Sequence, residues 1–302
     1  MLAYGYTVDR IATESGIAKP ELWQWIHDRE HPSENRIRVE NGVVEWLKAK
    51  DEADLARGVL PDADTTTRLS ILSVLEQARL TPTCGVVCGV AGCGKTSTAL
   101  HFQQLHPGRV FYASATSFTR SPTAILYRLA EAIFHADDFR RSVNAREYRQ
   151  YALAERIRSF LVPQSLIIID EAQHLGVAEI DAIRNFHDEP PHPGLVLMGN
   201  EAVWSRVLGK ARKADFSQIN SRIGLRLVIE RIEEADVDAV LQAWRVRGSA
   251  ERQFLLDVAR CDGGLRQLAH LVRTARLTAR ELNRPLDAQI LREVASSLGI
   301  ID

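Results

Sequence analysis

An apolar run, Val86-Val87-Cys88, enters the stretch Gly89-Val90-Ala91-Gly92-Cys93-Gly94-Lys95-Thr96, and a helical pattern begins where that stretch ends. Strand, glycine-rich turn and helix in this order form the context in which the spacing G-x-x-x-x-G-K-[ST] acts as a phosphate-binding loop (P-loop). Glycines let the backbone turn its N–H groups inward, and the positive end of the following helix adds attraction for an anion. Lys95 would reach the β- and γ-phosphates, and the Thr96 hydroxyl would coordinate magnesium. Gly89, Val90, Ala91, Gly92, Cys93, Gly94, Lys95, Thr96 and Ser97 are therefore the expected cradle for ATP with Mg2+.

Such a turn needs a parallel sheet to hold it, and the rest of the chain supplies the pattern. Apolar periodicity predicts a helix over 69–78, strand 85–88, helix 96–104, strand 110–113 and helix 122–134. Helix 145–160, strand 166–169, helix 177–186, strand 195–198 and strand 225–229 are expected to follow. This alternation implies an α/β fold, a parallel sheet sandwiched by helices. Residues 1–56 read as a small helical domain, 57–67 as a polar, Gly- and Pro-containing linker, 68–230 as the α/β core and 231–302 as a helical subdomain. Four helices are expected in that last part, over 236–243, 249–259, 265–281 and 287–296, with Asp236 and Asp287 as caps of the first and last.

Two further strands end in polar groups. Leu166-Ile167-Ile168-Ile169 runs into Asp170-Glu171, the form of a Walker B element: Asp170 would hold the magnesium shell and Glu171 would polarise the attacking water. Leu195-Val196-Leu197-Met198-Gly199 runs into Asn200. Parallel strands aim their C-terminal ends at the ligand, so Asn200 is placed to contact the γ-phosphate or orient the water, although Asn also favours turns on its own account. Arg222 precedes the last strand, and Arg266 opens a helix after Gly263-Gly264. Either could bring charge to a transition state.

Strand-ending Asp170-Glu171, strand-ending Asn200, Arg222 before the last strand and Arg266 on a helical lid together resemble the pattern of the AAA+ ATPases. More narrowly the chain resembles the Mu B transposition family, the ATPase subunits of several DNA transposons. Ile11 to Gly16, Val86 through the P-loop, Ile168 to Gly176, Gly194 to Asn200, Ser221-Arg222-Ile223 and Gly264-Leu265-Arg266 carry this likeness along nearly the whole chain. The resemblance implies a P-loop AAA+ core and ATP held between neighbouring subunits of a filament or ring. It also implies assembly on DNA and delivery of that DNA to a transposase. By position it makes Arg222 an arginine finger and Arg266 a sensor-2 arginine.

Gly16 in a turn between Ala12 and Ile17, with Pro20 early in the next helix, has helix-turn-helix spacing, so Lys19 and Gln24 would face a DNA groove. From Arg109 to Arg158 nine arginines face five acids, and Arg120, Arg140 and Arg141 are candidates for largely sequence-tolerant contacts to the phosphates of double-stranded DNA. Arg273, Arg276, Arg280 and Arg284 recur on one helix face, by default a solvated one. Net charge is −1, from 38 basic and 39 acidic residues, and says nothing of DNA. The four cysteines lack metal-ligand or disulfide spacing. No apolar run is of membrane-spanning length and no secretion signal opens the chain, so a cytoplasmic protein with no membrane partner is expected. Rival readings are a nucleotide-switched DNA-binding regulator, a replication loader and a secretion-type AAA+ ATPase.

Overall fold

The computed structural model describes residues 7–27, 34–56, 60–134, 150–203 and 223–301. Five parallel strands, β1 (Cys84–Gly89), β2 (Val110–Ser114), β3 (Leu166–Asp170), β4 (Gly194–Gly199) and β5 (Ile223–Ile229), lie in the order β2-β3-β4-β1-β5. The three central strands β1, β3 and β4 are buried along their whole length, which is why they read as unbroken apolar runs. The edge strands β2 and β5 carry partly exposed residues.

Alternate side chains of the sheet feed two cores. On one face Val87, Ile168, Val196 and Met198 pack with Ile71 and Leu75 of α4 (Thr66–Leu80) and with Ala99 and Phe102 of α5 (Lys95–Leu105). On the other, Val86, Ile167, Ile169 and Leu197 meet α6 (Pro122–Phe134), α7 (Gln150–Phe160) and α8 (Val177–Asp188) through Leu129, Ile157 and Ile183. Burial of a side chain of this size stabilises the fold by about 1.5–3 kcal/mol, so this two-sided packing is what holds the strand ends in place.

The N-terminal helices are α1 (Val8–Ser15), α2 (Lys19–His27) and α3 (Glu34–Ala56). Thr7 caps α1, and Gly16 ends it in the left-handed conformation with its N–H bonded to the Ala12 carbonyl. Ile11, Leu22, Val39, Val43 and Trp46 form a small core of their own. The C-terminal helices are α9 (Glu234–Ala243), α10 (Ser249–Ala259), α11 (Gly264–Glu281) and α12 (Ala288–Ser297). Among the described residues no helix is long and apolar enough to cross a membrane.

The chain divides into two compact units. One comprises Asp64–Ala239 and Leu256–Gln267, the other Met1–Ala63, Val240–Leu255 and Leu268–Asp302. In the second unit the Trp244 indole donates to the Pro61 carbonyl at 3.0 Å, and Arg276 donates to the Trp244 carbonyl. Arg276 is thus drawn inward, where burial and the charge of Arg245 lower its pKa; it does not belong to the solvated stripe that its spacing suggests.

Asp287 caps α12 by accepting the Ile290 N–H at 2.9 Å, as expected. Asp236 does not cap α9, which begins two residues earlier. Its carboxylate is fully buried and accepts from the Thr66 hydroxyl at 2.5 Å, the Thr67 N–H at 3.1 Å and the Thr67 hydroxyl. It therefore joins the start of α9 to the N-terminus of α4, where the helix dipole also favours a negative charge.

Candidate functional site

The end of β1 and the first turn of α5 form the phosphate-loop candidate. Gly92 and Gly94 have φ of 75° and 95°, the left-handed region that favours glycine. Gly92 has a second constraint: a Cβ there would lie 1.9 Å from the Gly263 carbonyl oxygen and 3.3 Å from the Arg266 nitrogen. The Gly263-Gly264 turn and the start of α11 are thus packed directly on the loop, and a Cβ on Gly264 would meet the Ala91 carbonyl at 3.0 Å. Arg266, exposed, stands in the first turn of α11 beside the loop.

Lys95 Nζ donates to the carbonyls of Gly89 at 2.8 Å and Val90 at 3.0 Å. Ser97 and Thr98 hydroxyls both donate to the Gly94 carbonyl, which stiffens the first turn of α5. Thr96 Oγ1 donates to Asp170 Oδ2 at 2.6 Å, so the hydroxyl at the start of α5 and the carboxylate at the end of β3 converge. Two oxygen donors of this kind suit magnesium, which favours hard ligands and keeps positions for phosphate oxygens and water. Among the described residues no group of three or more His, Cys, Asp or Glu side chains forms a metal cage.

Asp170 is 1% exposed and its charge is held by further donors. Its Oδ1 accepts the Glu171 N–H at 2.8 Å, and its Oδ2 accepts the Tyr112 hydroxyl at 3.0 Å. Burial, and then the neighbouring Asp170 charge, push the Tyr112 phenol well above its usual pKa, so Tyr112 remains a neutral donor. Sequence spacing gave no sign of Tyr112; the signal is the register of β2 on β3, which pairs Ser114 with Asp170.

Glu171 follows with φ of 54°, a left-handed residue at the strand end. Asn200 lies at the end of β4, next to β3 and β1, and is exposed. Its Oδ1 accepts the Ala202 N–H at 2.9 Å, so the turn role of Asn is realised at that position. Beside the P-loop lies an open cleft of about 770 Å³; Val90, Ala91, Gly263 and Gly264 line it together with a charged wall that includes Glu230 and Arg260.

The candidates for DNA contact fall in both compact units and outside the described residues. Lys19 is exposed and ion-paired with Asp9, Gln24 is exposed on α2, and Arg120 is exposed in the loop after β2 beside Phe118, itself 90% exposed. Within the arginine-rich segment Arg128 pairs with Glu131, Arg158 pairs with Glu189 at 2.7 Å, and Arg109 donates to the Pro163 carbonyl. Arg140, Arg141 and Arg222 lie outside the described residues.

The nucleotide-loop region, residues 78–207, matches the model of an AAA domain, and residues 221–298 match the model of the C-terminal part of the Mu B transposition protein. Among solved structures, the Aeropyrum pernix ORC2 protein, determined as ADPNP–ADP complexes, superposes with a TM-score of 0.58 at 15% identity over 78% of this chain and 69% of that one. Cdc6p from Pyrobaculum aerophilum gives 0.57 at 18% identity over 76% and 66%. At such identities the likeness is one of fold, and it is the P-loop AAA+ fold with a helical C-terminal region. Among curated proteins, the ATP-dependent target DNA activator B of Escherichia phage Mu and that of Escherichia phage D108 are each 32% identical to this chain over 299 residues. The DNA transposition protein B of a Mu-like prophage in Haemophilus influenzae is 28% identical over 87% of this chain and 88% of its own length. Identity of 32% across 97% of this chain and 91% of the phage proteins reaches well beyond a shared ATPase core, and the chain belongs to the Mu B transposition protein family.

Proposed function

We propose that this chain is an ATP-hydrolysing, DNA-binding AAA+ ATPase that captures target DNA, delivers it to a partner transposase and activates that transposase. The observation that carries the reading is the convergence of Thr96 on Asp170, with Glu171 next to it, at the mouth of a P-loop. The DNA and the activation come from the phage relatives, each an ATP-dependent target DNA activator B.

In this reading Lys95 neutralises the β- and γ-phosphates while the backbone of Gly89 to Gly94 cradles them. Thr96 and Asp170 would hold magnesium, which would supply positive charge against the phosphates. Glu171 takes the proton of the water that attacks the γ-phosphorus, and Asn200 orients that water. Arg266 reaches the phosphates from the lid, and Arg222 is supplied to the neighbour's site, so turnover depends on assembly. ATP favours the assembled filament or ring and hydrolysis releases it, as a two-state switch requires.

Lys19, Gln24, Arg120, Arg140 and Arg141 contact double-stranded DNA mainly through its backbone, which makes binding sequence-tolerant and salt-dependent. The reading keeps residues 1–56 as a helix-turn-helix domain, 57–67 as linker, 68–230 as the ATPase core and 231–302 as lid, in a protein that works in the cytoplasm.

The test is electron microscopy of the protein with ATP and random-sequence duplex DNA, paired with ATP turnover with and without that DNA. Filaments or rings enclosing DNA and DNA-stimulated turnover are expected. A persistent monomer with unstimulated turnover, or binding to one discrete operator alone, overturns the reading.

A further inference from the structure

Gln173 lies in the short 3-10 turn Ala172–His174 that follows Glu171, and its side chain spans two strand ends. Its Nε2 donates to the Glu171 carboxylate, while its Oε1 accepts the backbone N–H of Asn200 at 3.4 Å. Room for the carboxamide depends on glycine at position 199. A Cβ there would lie 2.3 Å from Gln173 Oε1 and 2.6 Å from a Val203 methyl carbon. Thr96 and Tyr112 both donate to Asp170, not to Glu171. Among the described residues Gln173 is therefore the side chain that donates to the carboxylate of Glu171.

We propose that Gln173 is a positioning residue that couples the β3 and β4 ends of the site. A glutamate side chain on a turn has several soft torsions, and proton transfer requires one oxygen to be held within hydrogen-bond reach of the water. By fixing Glu171 Oε2, Gln173 leaves Oε1 to accept the proton. By accepting from Asn200, it ties that orientation to the backbone of the residue assigned to orient the water. A shift at the end of β4 is then felt at the carboxylate without any direct Glu171–Asn200 contact. The inference rests on Glu171 being the group that receives the water proton.

The experiment uses the full-length protein, with saturating ATP and duplex DNA for turnover and a fluorescent ATP analogue for binding. Gln173→Met keeps the side-chain length and removes both donor and acceptor. Its kcat is expected to fall about ten- to hundredfold, the rate equivalent of one charge-assisted hydrogen bond. KM and analogue affinity should stay within about twofold, because the contact is made to a group that acts in the chemical step. Gly199→Ala, which crowds the carboxamide, should lower kcat in the same way, and the double variant should be no worse than the weaker single one. Retained kcat in Gln173→Met, a proportional loss of nucleotide affinity, or additive losses in the double variant would overturn the proposal. Glu171→Gln is measured alongside. If it keeps turnover, the water-activating reading and this inference both fall; if it loses turnover while Gln173→Met does not, this inference alone falls.

Discussion

Replacing Gly92 by Ala sets two costs of different origin on one residue. At φ of 75° an L-residue with a Cβ is strained by roughly 1–2 kcal/mol. The new methyl would also stand 1.9 Å from the Gly263 carbonyl oxygen, so that carbonyl must retreat by about 1.5 Å to reach ordinary contact. The same carbonyl accepts the first N–H groups of α11, from Arg266 at 3.1 Å and Gln267 at 3.3 Å. Losing one or both bonds adds about 0.5–1.5 kcal/mol each, for a total of about 1.5–5 kcal/mol. Gly94→Ala is the control. Its φ of 95° carries similar backbone strain, but the nearest atom to its Cβ is Ser97 Oγ at 3.7 Å, which needs no displacement. The Gly92 variant should therefore be less stable than the Gly94 variant by about 0.5–3 kcal/mol, the share of the close approach alone. Hydrogen exchange of the β1 and β4 amides, measured without nucleotide, reads the stability of this unit directly. Equal protection in the two variants would refute the argument that the lid turn is packed against the loop.

Asp236→Ala strips the acceptor from two hydroxyls and one N–H at the start of α4 and should destabilise the core by about 3–5 kcal/mol in urea unfolding, with Asp236→Asn well short of that. Hydrogen bonds from Arg10 at 2.7 Å and Lys50 at 2.8 Å pull the Glu14 carboxyl down to about 2, from an ordinary value of 4.5. Its contribution is then fully present above pH 4.5 and is lost as pH falls through about 2, so acid titration of α1–α3 helicity should flatten over that window in Glu14→Gln. Arg222→Ala should lower DNA-stimulated turnover by about 10³-fold or more while analogue binding to the monomer persists, and retained cooperative turnover would remove the finger assignment.

The sequence announced the core strands because β1, β3 and β4 are covered on both faces and so must be apolar throughout. Their ends extend by one residue beyond the apolar run, into Gly89, Asp170 and Gly199, where the strand continues after the hydrophobic pattern has stopped. Strand order was not legible: a parallel sheet is joined by crossovers, and nothing in the residues of β4 says that it lies between β1 and β3. Motif residues with local meaning, such as Gly92, Thr96 and Asp170, could be placed by spacing alone. Those whose partners are distant in sequence could not. Asp236 has the look of a cap but bonds to threonines some 170 positions away, and Arg276 joins an apparent stripe yet is held by Trp244. Gln173 stands within a motif, but its role depends on Gly199 on another strand.

The position of β4 has a mechanical consequence. The P-loop, Asn200 and Asp170 hang from the ends of three adjacent strands, so their lateral spacing is graduated in steps of about 4.8 Å by the backbone ladder. The sheet acts as a ruler, with the chemistry mounted at one edge and the marks buried in its middle. Trimming a fully buried side chain such as Val196 or Ile168 would leave a cavity beneath the marks without touching any group that meets the phosphates. Tuning of the reaction is thus open to residues that never touch the nucleotide.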